Sequence, residues 1–517
     1  MSCQEEGVLA VGSGPFLHSL VESWYESGLS KLTVFVTTNL EEPANTAELA
    51  KLREHALRGA EEASLHIVAA TEDKDPEWRT IIQPFSFLLY VSQHGDVEEL
   101  RKLQHACIAE QKSMIPAVVL QGRGMAGPLL HPNGEGRWES AWRGIHSTVF
   151  PEVRKPQRFS AAAVAILSNL LVHEWQKAIT EEKETDGRNQ CYILDPDTLT
   201  GIWHPIRPHP VVSGVETARL VENFELRLEK SHEPADTEEW FTCFNRLTSA
   251  ATGIFHAWEE ADLIQLPLAQ CLVQPVDPLS EGPAQLLPPI IRSGLTHEEA
   301  RRESGLAGLE AYAARLMPLL FPGWLSSQRE DIGIGAGFSI AEAVERAFRA
   351  CLATAWSKRM RMLADKKLAV THIEYGQIED VRCRYYLQAL HITEGGTQLA
   401  VGEPLLGCPV VWVRSGSSWH GSADLDLTLA LRQSLQKALT KTAGVASSSV
   451  RWKEDKAQDI MVSNSAPPKH ASWLLGAVQR LNQGHQRLEV FDMRSEFFLG
   501  TGPFVIYGVR LGEEESP

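Results

Sequence analysis

Short apolar strands alternate with helical stretches over residues 8–121. The strand-like runs are Val8–Val11, Leu32–Val36, 65–70, Phe85–Ser92 and Met114–Gln121. The predicted helices of this part of the chain are Phe16–Glu26, 46–62, 96–112 and Ser160–Thr180. Strands that alternate with helices form a parallel sheet covered by helices on both faces. The chain is therefore predicted to begin with an α/β domain.

The charge balance limits the classes of partner. The 517 residues include 66 Asp and Glu against 49 Lys and Arg, which gives a net charge of −17. A surface of this sign argues against general binding to nucleic acid or to an anionic membrane. The sequence has no apolar run long enough to span a bilayer and no basic segment followed by an apolar run at its start. We therefore expect a cytoplasmic protein.

Cysteine and histidine spacing predicts no metal site. The eight cysteines are scattered and form no Cys-x-x-Cys pair, so reduced structural thiols are expected. His204 and His209 lie close together but have no third ligand near them in sequence. We interpret both as ordinary loop histidines.

The turn after the first strand has the shape of a nucleotide-binding turn but not its chemistry. Gly12 and Gly14 occupy the first two glycine places of a dinucleotide fingerprint, while the third place is not glycine. Pro15 has no N–H to offer a phosphate, and we expect the Phe16 ring to close the phosphate space. Because the second strand ends without an acidic residue for a ribose, a NAD or FAD dehydrogenase is disfavoured. Gly12 and Gly14 are thus predicted to form a vestigial, non-functional turn.

The first 215 residues resemble the ThiF-like domain of ubiquitin-activating-type enzymes. The strand–turn–helix at Val8–Thr38 and the stretch "MIPAVVLQGRGMAGPLLHPNGEGRWESAWRG" at Met114–Gly144 carry the resemblance. The family's hairpin leads to a zinc-binding Cys-x-x-Cys pair, where this chain has Arg137 and Trp138 instead. The resemblance therefore implies a Rossmann-type pseudoenzyme domain. A true adenylating enzyme that uses Gly12 and Gly14 is a further alternative.

A second α/β domain is predicted after the charged stretch Glu229–Glu239. We expect the first domain at 1–215, a linker at 216–238 and the second domain at 239–517. Two Gly/Ser-rich loops of the second domain, in Gly333–Leu352 and Gly416–Leu439, each lead into a helix with a small or leucine-rich face. The faces are Ala343, Ala347 and Cys351 in one helix and Leu427, Leu431, Leu435 and Leu439 in the other. They indicate two related α/β layers, or else two unrelated amphipathic helices.

This second domain resembles the YcaO family of ATP-dependent enzymes that activate peptide amides. The segments Ser249–Pro278 and Ser293–Leu316, with the two Gly/Ser-rich loops, carry the resemblance. In active members, glutamates of these segments bind magnesium and the nucleotide phosphates. Here the matching positions hold Gly308 and Ala311, with Tyr312 for an arginine and Arg349 for a further glutamate. The resemblance thus implies a degenerate domain, although a shift of one residue would match Glu310 to a family glutamate.

Three glutamates keep an enzymatic alternative open. On a helix, Glu299, Glu303 and Glu310 fall within about 40° of one another at 100° per residue. They could bind Mg²⁺-ATP in a displaced arrangement. The other interpretation is that Thr296 and Glu299 form a capping box while Glu303 and Glu310 are solvated.

The combination is similar to the ThiF-like putative thiazole-containing bacteriocin maturation proteins, in which a degenerate ThiF-like domain precedes a degenerate YcaO-like domain. This resemblance implies a non-catalytic auxiliary protein without a cofactor. Its implied partners are an active YcaO cyclodehydratase and the leader of a ribosomal precursor peptide, and a homodimer stays open. Longer members carry an N-terminal leader clamp, which we expect this chain to lack. The alternative is an ATP- and Mg²⁺-dependent cyclodehydratase that itself modifies Cys, Ser or Thr of the precursor.

Overall fold

A computed structural model describes most of the chain in two compact units. The described residues are 7–37, 49–51, 54, 64–69, 76–132, 137–150, 159–180, 189–224, 228, 237–363, 368–442, 444–446, 450–452, 458–462, 470–500 and 502–513. The first unit comprises 1–214 with the short segments 249–253 and 278–286, and the second comprises 215–248, 254–277 and 287–517.

The first unit is built on an eight-stranded sheet of order β3-β2-β1-β4-β5-β6-β7-β8. Its strands are β1 Val8–Gly12, β2 Lys31–Val36, β3 Ser64–Ala69, β4 Phe87–Ser92, β5 Ser113–Leu120, β6 Arg123–Ala126, β7 Gln190–Asp195 and β8 Thr200–Pro205. Its helices are α1 Gly14–Glu26, α2 Trp78–Ile82, α3 Val97–Ala109, α4 Trp138–Gly144, α5 Ala161–Thr180 and α6 Pro210–Ser213. Pairing is parallel from β3 through β5 and antiparallel from β5 to β8.

Both faces of this sheet are buried, as the alternation of strands and helices predicts. Along β1, Val8 and Ala10 belong to one hydrophobic cluster, which also contains Trp24 of α1 and Trp175 of α5. Their neighbours Leu9 and Val11 belong to the opposite cluster, packed with α3 and α4. The period of two along a strand explains this division. The predicted helix at 46–62 lies largely outside the described residues.

The second unit contains three sheets, of order β10-β11-β12, β13-β22-β21-β9 and β18-β17-β16-β15-β14-β19, with β20 paired to β14. The strands are β9 Arg219–Leu220, β10 Phe255–Glu259, β11 Ala269–Pro275, β12 Ile290–Gly294, β13 Gly333–Gly337, β14 Leu368–Ile378, β15 Gln398–Val401, β16 Val410–Ser415, β17 Ser418–Ala423, β18 Val445–Ala446, β19 Val450–Trp452, β20 Gln458–Val462, β21 Gln486–Asp492 and β22 Val505–Glu513. The helices are α7 Thr237–Leu247, α8 His297–Arg315, α9 Met317–Leu320, α10 Ser326–Glu330, α11 Ile340–Met362, α12 Val381–Glu394, α13 Leu427–Leu439, α14 His470–Gln483 and α15 Glu496–Leu499.

The two predicted helix faces are confirmed. Ala343 and Ala347 of α11 are fully buried against β13, and a Cβ at Gly335 would approach the Ala343 carbonyl oxygen to 2.1 Å. Leu431 and Leu435 of α13 are buried in a separate cluster. The α/β class is thus confirmed for the described chain.

The predicted linker at 216–238 belongs to the second unit where it is described. Within it, β9 at Arg219–Leu220 pairs with β21, so these residues extend a sheet. Residues 225–227 and 229–236 lie outside the described residues.

Candidate functional site

The turn after β1 needs its two glycines for structural reasons. A Cβ at Gly12 would lie 2.4 Å from the Val91 carbonyl oxygen of the neighbouring β4. Gly14 has φ of +61°, a conformation that other residues adopt with strain. The chain then enters α1 with Pro15 in the first turn of the helix. Both glycines are therefore explained by the passage from strand to helix.

The Phe16 ring, two residues after Gly14, is part of the hydrophobic core. It is fully buried in the hydrophobic cluster beneath the sheet, together with Leu17 and Leu20. That this ring closes the phosphate space stays a prediction. Pro15 is exposed and still removes one N–H from the helix start.

His209 is held as a neutral side chain inside the first unit. Its Nδ1 accepts a hydrogen bond from the Val211 N–H at 3.3 Å, and the backbone N–H of His209 donates to Ser140 Oγ at 3.3 Å. Burial, assisted by the charge of Arg143, lowers the pKa of His209 to about 4 from 6.5. The ring therefore caps α6 as a neutral acceptor.

The glutamate stripe of α8 begins with a helix cap. Thr296 Oγ1 accepts the Glu299 N–H at 3.1 Å, which confirms Thr296 as the cap. The Glu299 carboxylate accepts the Leu295 N–H at 3.0 Å and forms an ion pair with Arg382 of α12. Glu299 thus accepts a backbone hydrogen bond at the start of α8 and links this helix to α12 by an ion pair.

Glu303 and Glu310 converge on one arginine. Arg346 of α11 lies 2.5 Å from Glu303 Oε2 and 2.6 Å from Glu310 Oε1. Glu310 Oε1 also accepts the Ala336 N–H of β13 at 3.1 Å. The expectation that both glutamates are merely solvated is therefore wrong: α8 and α11 both pack on β13, and this brings the two glutamates to a shared cation.

The charges of Glu303 and Arg346 stabilise each other. Burial alone would raise the pKa of Glu303, but the attraction and hydrogen bond of Arg346 lower it to about 2. Burial would lower the pKa of Arg346, and Glu303 and Glu310 instead raise it well above its ordinary value. Glu303 and Arg346 are consequently both ionised at neutral pH.

Further ion pairs extend the group along α11. Arg349 makes a two-pronged pair with the buried Asp424, at 2.9 and 2.8 Å, and lies 3.3 Å from Glu345. Arg302 lies 2.6 Å from Glu342. We call the set the carboxylate–arginine cluster: Glu303, Glu310, Glu342, Glu345, Asp424, Arg302, Arg346 and Arg349. Each of its carboxylates is paired with an arginine of the cluster.

Sequence reasoning missed most of this cluster. It singled out Glu303, Glu310 and Arg349, but not Arg346, Glu342 or Asp424. The one local signal was the run "EAVERAFRA" from Glu342, in which glutamates and arginines recur at helical spacing. That spacing alone predicts pairs within a helix, whereas the structure pairs Arg346 with α8.

The cluster does not fit a Mg²⁺–ATP complex held by the predicted glutamates. Magnesium needs carboxylate oxygens in its coordination shell, and both Glu303 and Glu310 are already paired with Arg346. Glu299 is engaged elsewhere, with Arg382. Within the described ranges, no group of three or more His, Cys, Asp or Glu could hold a metal ion.

Comparison with known proteins supports the fold. No protein-family model matches the sequence, and no curated protein matches it. Among solved structures, a heterocyclase in complex with substrate and cofactor has a TM-score of 0.58 and 11% identity, over 98% of this chain and 81% of that chain. The heterocyclase TruD gives 0.49 and 12%, over 98% and 79%. E. coli MccB with AMPCPP and MccA gives 0.32 and 14%, over 41% and 67%.

The first of these likenesses extends over almost the whole chain, so this chain has the fold of a heterocyclase. Among the described helices, none combines the length and apolar character that crossing a membrane requires.

Proposed function

We propose that this chain is a non-catalytic auxiliary protein in the maturation of ribosomal, azole-containing peptides. In this proposal it acts in the cytoplasm, docks onto an active YcaO cyclodehydratase and helps to present the precursor peptide for thiazoline or oxazoline formation. The observation that carries the proposal is the pairing of Arg346 with both Glu303 and Glu310. An arginine between these carboxylates takes the place that a divalent cation would need.

The heterocyclase fold supports the class of pathway. A heterocyclase with bound substrate and cofactor shares its fold over 98% of this chain. An adaptor that keeps this fold needs no chemistry of its own. By binding enzyme and peptide together it raises the effective concentration of the peptide at the partner's site.

The proposal is tested by calorimetric titration of the full chain with Mg²⁺-ATP and by reconstitution with a cyclodehydratase and its precursor peptide. We expect no micromolar nucleotide binding by this chain, no azoline without the partner enzyme, and faster azoline formation by the partner when this chain is added. Micromolar Mg²⁺-ATP binding, or azoline formation by this chain with precursor alone, would overturn the proposal in favour of an ATP-dependent cyclodehydratase.

A further inference from the structure

One edge of the large sheet in the first unit is an exposed strand. In the described part of the chain this sheet ends at β8, which pairs with β7. Ile202 lies in the middle of β8 and is 67% exposed. The strand contains no Asp, Glu, Lys or Arg, although charged side chains are a common protection of sheet edges. Such an edge is a template for a further strand.

The register of β8 on β7 decides which of its backbone groups point outward. The Ile206 N–H donates to the Asn189 carbonyl oxygen at 2.7 Å, in continuation of the β7–β8 register. Because the direction of these groups alternates along an antiparallel strand, the N–H and C=O of Gly201 and Trp203 point away from β7. The N–H that Pro205 lacks also belongs to this outer edge, where proline is tolerated. Gly201 and Trp203 thus each offer a donor and an acceptor to a partner strand.

We infer that β8 pairs in the antiparallel direction with β8 of a second copy of this chain. In this pair, Gly201 of each copy exchanges both backbone hydrogen bonds with Trp203 of the other. Ile202 then lies opposite its own copy on the two-fold axis, as a non-hydrogen-bonded pair whose Cα atoms are about 4.5 Å apart. The two exposed isoleucine side chains cover each other. The same patch serves both copies, as a two-fold interface requires.

Charge complementarity favours a second copy over another strand. Asp197 is exposed in the turn before β8, and Arg207 follows the strand. Asp197 lies five positions before Ile202 and Arg207 five positions after it. The register that places Ile202 on the axis therefore brings Asp197 of each copy opposite Arg207 of the other. The two ends of the strand have opposite charge, and antiparallel pairing joins unlike ends.

Sedimentation velocity of the full chain over a hundredfold range of concentration tests the dimer. Because a single strand pair buries less area than the interface of a permanent dimer, we expect the dimer fraction to rise with concentration. Ile202→Lys places like charges opposite each other on the axis and should raise the dimer dissociation constant at least tenfold.

The matched control for this variant is Leu325→Lys, at a position that is 68% exposed. It introduces the same charge at an equally exposed apolar position and should associate like the unchanged protein. Equal effects of the two variants would overturn the inference. A chain that is monomeric at every concentration would also overturn it, and would leave the edge to a strand of the precursor peptide.

Engineered cysteines test the register. Ile202→Cys places two thiols opposite each other at a Cα separation that a disulfide can bridge, so diamide should link this variant into a covalent dimer. The control is Thr200→Cys, at an exposed position of the same strand. Its two copies lie about 14 Å apart, from 3.4 Å per residue along the strand, and should not be linked. Equal linkage of the two variants would contradict the register.

A charge exchange tests the antiparallel direction. Asp197→Lys and Arg207→Glu each bring like charges together and should each weaken the dimer. Combined in one chain, they pair again across the axis and should restore the dissociation constant of the unchanged protein. A double variant no better than either single one would contradict the pairing. These measurements use neither nucleotide nor cyclodehydratase, so their failure would leave the proposed function untouched.

Discussion

Arg346 is the residue on which the assignment of the cluster depends. Arg346→Ala leaves Glu303 and Glu310 without their shared cation in a largely buried setting, so we expect a loss of about 2 kcal/mol in the free energy of unfolding. Because the pKa of Glu303 is lowered to about 2, its contribution is present above pH 4.5 and is lost as the pH falls toward 2. The loss in the free energy of unfolding of the variant, measured by urea unfolding, should therefore be larger at pH 7 than at pH 4.

The control for this variant is Arg384→Ala, at an exposed position of α12. It should change the free energy of unfolding by no more than about 0.5 kcal/mol. If Arg346→Ala loses no more free energy of unfolding than the control, or if its loss does not depend on pH, the role given to this arginine is contradicted.

His209 makes a second residue-scale prediction. Its pKa is about 4 when folded against 6.5, so the unfolded chain binds more protons between these values. Stability should fall by about 3 kcal/mol as the pH drops from 6.5 to 4. His209→Asn keeps a side-chain acceptor for the Val211 N–H but does not titrate, and should lose this part of the pH dependence. The control is His105→Asn, at an exposed position of α3. It should keep the full pH dependence of the free energy of unfolding, measured by urea unfolding at several pH values.

At the scale of elements, the contact of α11 with β13 depends on glycine. Gly335→Ala would bring a Cβ to 2.1 Å from the Ala343 carbonyl oxygen, so α11 must shift away from the strand. We expect a loss of about 3 kcal/mol in the free energy of unfolding. Gly476→Ala, inside α14 with its nearest neighbour at 3.6 Å, should instead stabilise by about 0.5–1 kcal/mol. Thermal unfolding of both variants checks the opposite signs.

Most elements were predictable from local patterns, and their bounds differ by a few residues. The predicted helix Phe16–Glu26 is observed as Gly14–Glu26, and Ser160–Thr180 as Ala161–Thr180. The buried face of α11 was also predicted, because Ala343, Ala347 and Cys351 recur at helical spacing. The burial of Phe16 in the core was not predicted, since it depends on which side of α1 meets the sheet.

At the scale of the whole molecule, the first unit includes residues from beyond its own continuous stretch. The fully buried His146 lies with Nδ1 3.1 Å from the Ala250 carbonyl oxygen and Nε2 2.7 Å from that of Gly253. The Ala284 N–H donates to the Ile145 carbonyl oxygen at 2.7 Å. The predicted boundary at residue 215 omits these partners, because only the folded chain brings them beside α4.

A fragment ending at residue 215 should therefore lose local stability around α4. We expect amide hydrogen exchange in α4 to be at least tenfold faster in the fragment than in the full chain. Exchange in α1 should change much less, since its packing partner α5 lies within the fragment. Equal protection of α4 in the two proteins would show that 249–253 and 278–286 are dispensable for the first unit.

The sequence by itself determined the α/β class, the order of strands and helices in the first unit, and the buried faces of α11 and α13. Hydrophobic period and glycine position are local properties, so they can be read along the chain. Only the tertiary structure decided what the glutamate stripe became. Glu303 and Arg346 are 43 residues apart in sequence, and their pairing follows from the packing of both α8 and α11 on β13. In the folded chain, the three candidate magnesium ligands are one partner of Arg382 and two partners of Arg346.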